Sequence, residues 1–237
     1  MNLKSYFSKK RSGIQFSYYS KLNTVKGNIL LNSMPKSGTH FFKALLQGMG
    51  YRFCGHISAD NSYNISLIRH GKNFFTAHTR KDIDGGIKFL TIRDPLSMTL
   101  SQAYYIKKRS DHSRHNLYKE LNLEQSMLAI LEGSKDIKPL LNRYFSMFDW
   151  AKRNNARILD FDDFKMAPQL MQKVLNVPNF DKNKVNHQLD GWTPTKRVGN
   201  REVEADFLNE FNLNHRNILK DYYAVYESML KQRPYDI

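Results

Sequence analysis

Cysteine is nearly absent: Cys54 is the only one in 237 residues. An intrachain disulfide is therefore excluded, and so is a zinc site built on several thiolates. A reducing, cytoplasmic setting is the expectation. No stretch approaches the roughly 18 uninterrupted apolar residues of a membrane-spanning helix, and the first residues lack the apolar run of a secretory signal, which points the same way. Acids are scarce as well. There are 22 Asp and Glu against 37 Lys and Arg, a formal charge of +15, and no glutamate precedes Glu120. That excess attracts polyanions of any kind. No recognition helix and no aromatic-basic RNA motif accompanies it, so no nucleic-acid partner is expected. Internal repeats and low-complexity linkers are missing too.

What is present is a chain long enough for one substantial core. Residues 1–27 read as a basic, aromatic extension, with Lys9, Lys10, Arg11, Phe16, Tyr18 and Tyr19 among them. It is either a membrane-surface or acceptor-binding arm, or an extension packed on the fold. From residue 28 onward short apolar runs alternate with segments of helical period. Strands are expected at 28–33, 73–77, 87–92 and 156–161. Helices are expected at 39–49, 96–107, 121–132, 138–154, near 167–175, 205–211 and 215–231, with a basic polar loop over 178–202. Such alternation predicts an α/β fold, a central parallel sheet flanked by helices, in one domain over 28–237.

The most informative stretch runs from Asn28 to Leu46. It reads as a strand, then a tight turn of Pro35, Lys36, Ser37 and Gly38, then a helix opening at Thr39. A helix N-terminus offers unpaired N–H groups and partial positive charge, so this turn is a ready anion site with a fixed cation in it. An ordinary strand-turn-helix is the competing reading. The lysine precedes the only glycine, so the turn is not the G-x-x-x-x-G-K-(S/T) nucleotide loop. Arg93 closes the strand 87–92, where open α/β sheets place ligand groups, and Ser101 lies on the next helix. His78 closes the strand 73–77, a fitting place for a general base, and His40 beside the turn competes with it. After the strand 156–161 come Asp162 and Asp163, which alone also read as a magnesium-binding acidic segment.

These units together resemble the PAPS-dependent sulfotransferases, PAPS being 3′-phosphoadenosine 5′-phosphosulfate. PKSGTH followed by Phe41 is similar to the family's phosphosulfate loop, PKSGTTW. The run from Arg93 to Tyr105 is similar to its 3′-phosphate motif, R-(N/D)-P-x-D-x-x-x-S-x-Y, with Leu96-Ser97 departing from it. Ala77-His78 falls where the family carries K-T-H, with Thr76 replacing the lysine. Phe161 to Pro168 resembles Y-E-D-(L/M)-K-x-x-P. The segment from Ala205 to Asn212 resembles G-D-W-K-N-x-F-T, preceded by a basic loop.

The resemblance implies a P-loop-like sulfotransferase fold and transfer of a sulfuryl group from PAPS to an acceptor hydroxyl or amine, with no metal. It implies that Lys36, Ser37, Gly38, Thr39 and His40 hold the phosphosulfate and that Lys36 stabilises the leaving phosphate. Arg93 and Ser101 would take the 3′-phosphate, and Phe41 and Phe161 would meet adenine. His78 would be the base; members that use glutamate instead have one in a region where this chain has none. Lys196, Arg197 and Gly199 would close over the 3′-phosphate, with Arg201 as the alternative under an ungapped match. The acceptor, a small molecule or a glycan, is expected against residues 51–72, 106–120 and the arm. The rival function is a P-loop nucleotide kinase or NTPase using Lys36 and Asp162 or Asp163 with magnesium.

Overall fold

The structure, a computed structural model, describes residues 28–57, 65, 72–133, 138–176, 181–190 and 201–235. Five strands form one sheet: β1 (Ile29–Ser33), β2 (Arg52–Ile57), β3 (Asn73–Ala77), β4 (Ile87–Ile92) and β5 (Arg157–Asp160). Their spatial order is β2-β3-β1-β4-β5, and every neighbouring pair is parallel. The central strands read as near-continuous apolar runs because both faces of a parallel sheet are covered. Alternation then sorts their side chains. Ile29 and Leu31 of β1 join Phe74, Phe89 and Leu159 in one core; Leu30 joins Phe75, Leu90 and Ile158 in another.

The first core is covered by α1 (Thr39–Gly48), α6 (Phe161–Met166) and α7 (Leu170–Leu175), and Val185 of α8 (Lys182–Asp190) joins it. The second is covered by α2 (Pro95–Lys108), α4 (Leu123–Leu131), α5 (Leu140–Arg153) and α10 (Arg216–Leu230), with Phe211 of α9 (Arg201–Asn214) and Tyr118 of the single turn α3 (His115–Tyr118). Caps fix where helices begin. Asp94 Oδ1 accepts the Ser97 N–H at 2.7 Å with Pro95 in the first turn of α2, and Asn122 and Gln125 form a reciprocal capping box on α4. No helix among the described residues is long and apolar enough to cross a membrane.

Strands 73–77 and 87–92 lie where the sequence puts them. Three expectations are corrected. β2 falls in a stretch to which the sequence reading assigns no element; it is an edge strand whose register shifts between Phe53 and Gly55, where Gly55 has φ 138°, so its alternation is broken. Phe161 does not end β5 but begins α6. The loop expected over 178–202 contains α8. Its composition is polar, and it holds on through Val185, which backs so closely on Gly48 that a Cβ there would lie 2.6 Å from Val185 Cα. The basic positions Lys196, Arg197 and Gly199 lie outside the described residues.

Candidate active site

A single edge of the sheet collects the predicted groups, because parallel strands all end on the same side. β1 delivers the turn 34–38, β3 delivers His78, β4 delivers Arg93 and β5 delivers Phe161.

The turn is built from the inside. Ser37 is fully buried; its hydroxyl donates to the Met34 carbonyl at 2.7 Å and shares a 2.8 Å hydrogen bond with the Thr91 hydroxyl of β4. Lys36 and Gly38 both take left-handed backbone conformations, φ 64° and 83°. The Ser37 N–H closes the turn on the Met34 carbonyl at 3.2 Å, and helix α1 starts directly behind it, with the unpaired N–H groups that any helix start carries. Gly38 caps α1 without a side chain, and Phe161 explains why. A Cβ at Gly38 would fall 2.1 Å from Phe161 Cδ2. Phe161 thus presses on the turn, edge-on to Phe41 at 5.4 Å between centroids, and Arg93 lays its guanidinium 4.8 Å from the same ring. Arg93 also donates to the Lys36 carbonyl at 3.5 Å.

Both aromatic residues that the resemblance assigns to adenine are buried: Phe41 is 4 % exposed and Phe161 5 %. Their rings pack in the core behind the loop. Ser101 is half-buried on the second turn of α2, and no hydrogen bond joins it to Arg93. Thr39 opens α1, half-buried, and His40 follows it, exposed.

Lys36 rests with Nζ 3.0 Å from the centroid of the Tyr105 ring. Burial first, then the charge of Arg109, lowers its pKa to about 8. Arg109 itself donates to the Tyr105 hydroxyl at 3.1 Å and is paired with Asp111.

His78 is fixed more sharply than sequence could say. Its Nδ1 lies 2.7 Å from the Ser33 carbonyl oxygen. A carbonyl only accepts, so Nδ1 carries the proton and Nε2 keeps the basic lone pair. Burial of the ring lowers its pKa, the Ser33 bond opposes this, and Arg143, His40 and Lys36 lower it further. One edge of the residue stays open to solvent. A neutral histidine with Nε2 free is a competent proton acceptor at neutral pH.

His56 was not anticipated. It lies one residue before the end of β2, beside Thr76, with Nδ1 3.1 Å from the Thr76 hydroxyl, and its ring lies 5.3 Å from that of His78. Only the strand pairing reveals this neighbour.

The acidic segment is engaged otherwise. Asp163 Oδ2 accepts from Arg233 at 2.5 Å and from the Tyr235 hydroxyl at 3.0 Å, fastening the end of the chain. Asp160, 4 % exposed, accepts from Tyr226 at 3.0 Å; burial, then Asp163 and Asp162, raises its pKa to about 7. No group of three metal-ligating side chains occurs among the described residues. A concavity of about 720 Å³ between α9 and α10, lined by Leu213, Arg216 and Tyr223, includes none of the predicted site residues.

No family model and no curated protein matches the chain. Among solved structures it is similar to a mouse sulfotransferase complexed with PAP, at 12% sequence identity and TM-score 0.50, over 78% of this chain and 72% of that one. The likeness is one of fold: a parallel sheet flanked by helices.

Proposed function

We propose that this protein is a sulfotransferase that moves a sulfuryl group from PAPS to an acceptor hydroxyl or amine. The observation that carries the reading is the pairing of a left-handed Lys36–Gly38 turn with a tautomer-fixed His78 on one sheet edge. The PAP in the mouse structure is what remains of PAPS once the sulfuryl group has left, and the shared fold supports PAPS as the co-substrate here.

The residues suit that co-substrate. The N–H groups of the turn and of the first turn of α1 would hold the 5′-phosphosulfate, and Arg93 and Ser101 the 3′-phosphate. The acceptor oxygen forms a bond to sulfur while the bond from sulfur to the bridging oxygen breaks. The acceptor proton passes to His78 Nε2. Lys36, drawn off the Tyr105 ring, meets the charge that develops on the departing phosphate. Little covalent work falls to the protein; orientation and charge stabilisation supply the rate. The kinase alternative is disfavoured by Asp163, whose carboxylate is taken up by Arg233 and Tyr235.

Radiolabelled PAPS incubated in chelator with a panel of phenol, amine and sugar acceptors, water being the default acceptor, tests the reading. Release of PAP by the wild type, lost in Lys36→Ala and His78→Gln, is expected. No release, together with magnesium-dependent turnover of ATP, would replace it with the kinase.

A further inference from the structure

Lys36 is anchored at its backbone and at its ammonium, by different parts of the chain. Its carbonyl accepts from Arg93 at 3.5 Å, and its left-handed backbone lies inside the turn that the Ser37 N–H closes on the Met34 carbonyl. Its Nζ lies 3.0 Å from the centroid of the Tyr105 ring, on the last turn of α2. A flexible four-carbon stem joins the two anchors. Without the ring the ammonium would sample many positions; over the ring it has one.

The ring is itself held. Arg109 donates to the Tyr105 hydroxyl at 3.1 Å, the Asp111 carboxylate engages Arg109, and the His112 ring stands edge-on to Tyr105 at 5.6 Å. A ring face attracts a cation through its quadrupole without using up the three ammonium donors. No hydrogen bond or ion pair engages Lys36 Nζ among the described residues. The ammonium is therefore fixed in place with its N–H groups unspent. Burial, then the charge of Arg109, lowers its pKa to about 8, so at neutral pH it is still mostly charged.

We propose that Tyr105 is a positioning residue for Lys36: its ring fixes the ammonium beside the turn 34–38, ready for the anion seated there. The identity of that anion, the phosphosulfate end of PAPS, rests on the sulfotransferase reading; the positioning rests on the contact of Lys36 with Tyr105 alone. Charge that is already in place is worth more than charge that must be ordered as the ligand arrives. A cation–π contact is also weaker than a charge-assisted hydrogen bond to phosphate, so the ring yields the ammonium as charge develops on the leaving group.

The test is a double-mutant cycle on the full-length protein, read by calorimetric titration with PAP and, in parallel, with inorganic pyrophosphate. Tyr105→Leu removes the ring and should weaken binding about fivefold or more. Tyr105→Phe keeps the ring and should stay within about twofold of the wild type. In a Lys36→Met background Tyr105→Leu should change affinity by less than about twofold, because a residue that acts through Lys36 has nothing left to position. A second readout needs no Tyr105 variant. The Lys36 ε-methylene protons, assigned by their loss in Lys36→Met, lie over the Tyr105 ring and should resonate upfield of an ordinary lysine in the wild type. Lys43, whose Nζ lies 3.6 Å from the centroid of the Phe53 ring, serves as the reference, and its shift should survive Tyr105→Leu.

A loss on Tyr105→Leu that persists undiminished in Lys36→Met would make Tyr105 a structural residue and overturn the proposal. An ordinary Lys36 resonance in the wild type would overturn it as well, as would a Leu variant that binds as tightly as the wild type, a Phe variant as damaged as the Leu one, or a wild type that binds neither probe. A wild type that binds pyrophosphate through Lys36 and Tyr105, with the cycle closing as expected, but never binds PAP would leave the positioning standing and sink the sulfotransferase reading.

Discussion

Ser37 and Arg143 stand at the same sheet edge under opposite conditions. Ser37 is sealed from solvent with its hydroxyl bonded to Met34 and Thr91; Arg143 is exposed and feels the charges of two other arginines. The loop region is over-determined by packing: Phe161 presses on Gly38, Arg93 covers Phe161, and left-handed backbone at Lys36 survives because its surroundings hold it. A rigid cradle suits a group that must be placed to within a fraction of an ångström. Exposed Arg143 carries no such constraint.

The comparison breaks first at His78, which belongs to both regions. Replacing it by Asn, whose Nδ2 takes the place of Nδ1, keeps a donor to Ser33 but removes the base, and transfer should fall about 10²- to 10⁴-fold with PAP affinity unchanged, in single-turnover assays with saturating PAPS. A parallel loss of PAP affinity would move His78 into the cradle. In the wild type, activity should rise with pH through a value below the ordinary histidine pKa of about 6.5 and then level, because His78 must be neutral to accept a proton.

The packing of the loop is tested by Gly38→Ala. Its methyl meets Phe161 Cδ2 in a left-handed backbone, so unfolding in urea should show a loss of about 2 kcal/mol. Adding Phe161→Ala should recover part of that loss, a coupling that independent sites do not show.

Asp160 supplies a pH signature behind the cradle. Its pKa is raised on folding from 3.8 to about 7. The native state therefore holds a proton that the unfolded chain releases, and the stabilisation, present below the unfolded value, is lost as pH rises through the folded one. That contributes a slope of at most about 1.4 kcal/mol per pH unit. Asp160→Asn should flatten the decline between about pH 4 and 7 in thermal or urea titrations; an unchanged slope would place the linkage elsewhere.

The smallest effect concerns Lys36. With a free-state pKa of about 8, PAP binding must recharge it in more alkaline buffer, so affinity should fall by at most about tenfold per pH unit above that value. Lys36→Met should bind more weakly and lose this dependence.

The order of strand, turn and helix was legible in the sequence and the neighbours across the sheet were not, for a physical reason. Strand-turn-helix logic is local: apolar 29–33, the Pro-Lys-Ser-Gly turn and the helix behind it are contiguous, so the turn and the helix start follow from order alone. His78 and Arg93 were found because each directly follows an apolar strand buried on both faces. The tautomer of His78 depends on which β1 carbonyl the register sets opposite, which pattern does not state. His56 was missed because β2 is a bulged edge strand with broken alternation. The adenine roles suggested for Phe41 and Phe161 came from matching aromatic positions, whereas the rings are largely enclosed by their own core.

The central claim is that the turn 34–38 and Arg93 form a site for a 3′-phosphorylated adenine nucleotide. Calorimetric titration with 3′,5′-ADP (PAP) in chelator, on the wild type and Arg93→Ala, tests it most directly. Micromolar binding that collapses in the variant, with 5′-AMP much weaker than PAP, is the predicted result. Absence of PAP binding, or binding of ATP alone and only with magnesium, would contradict it.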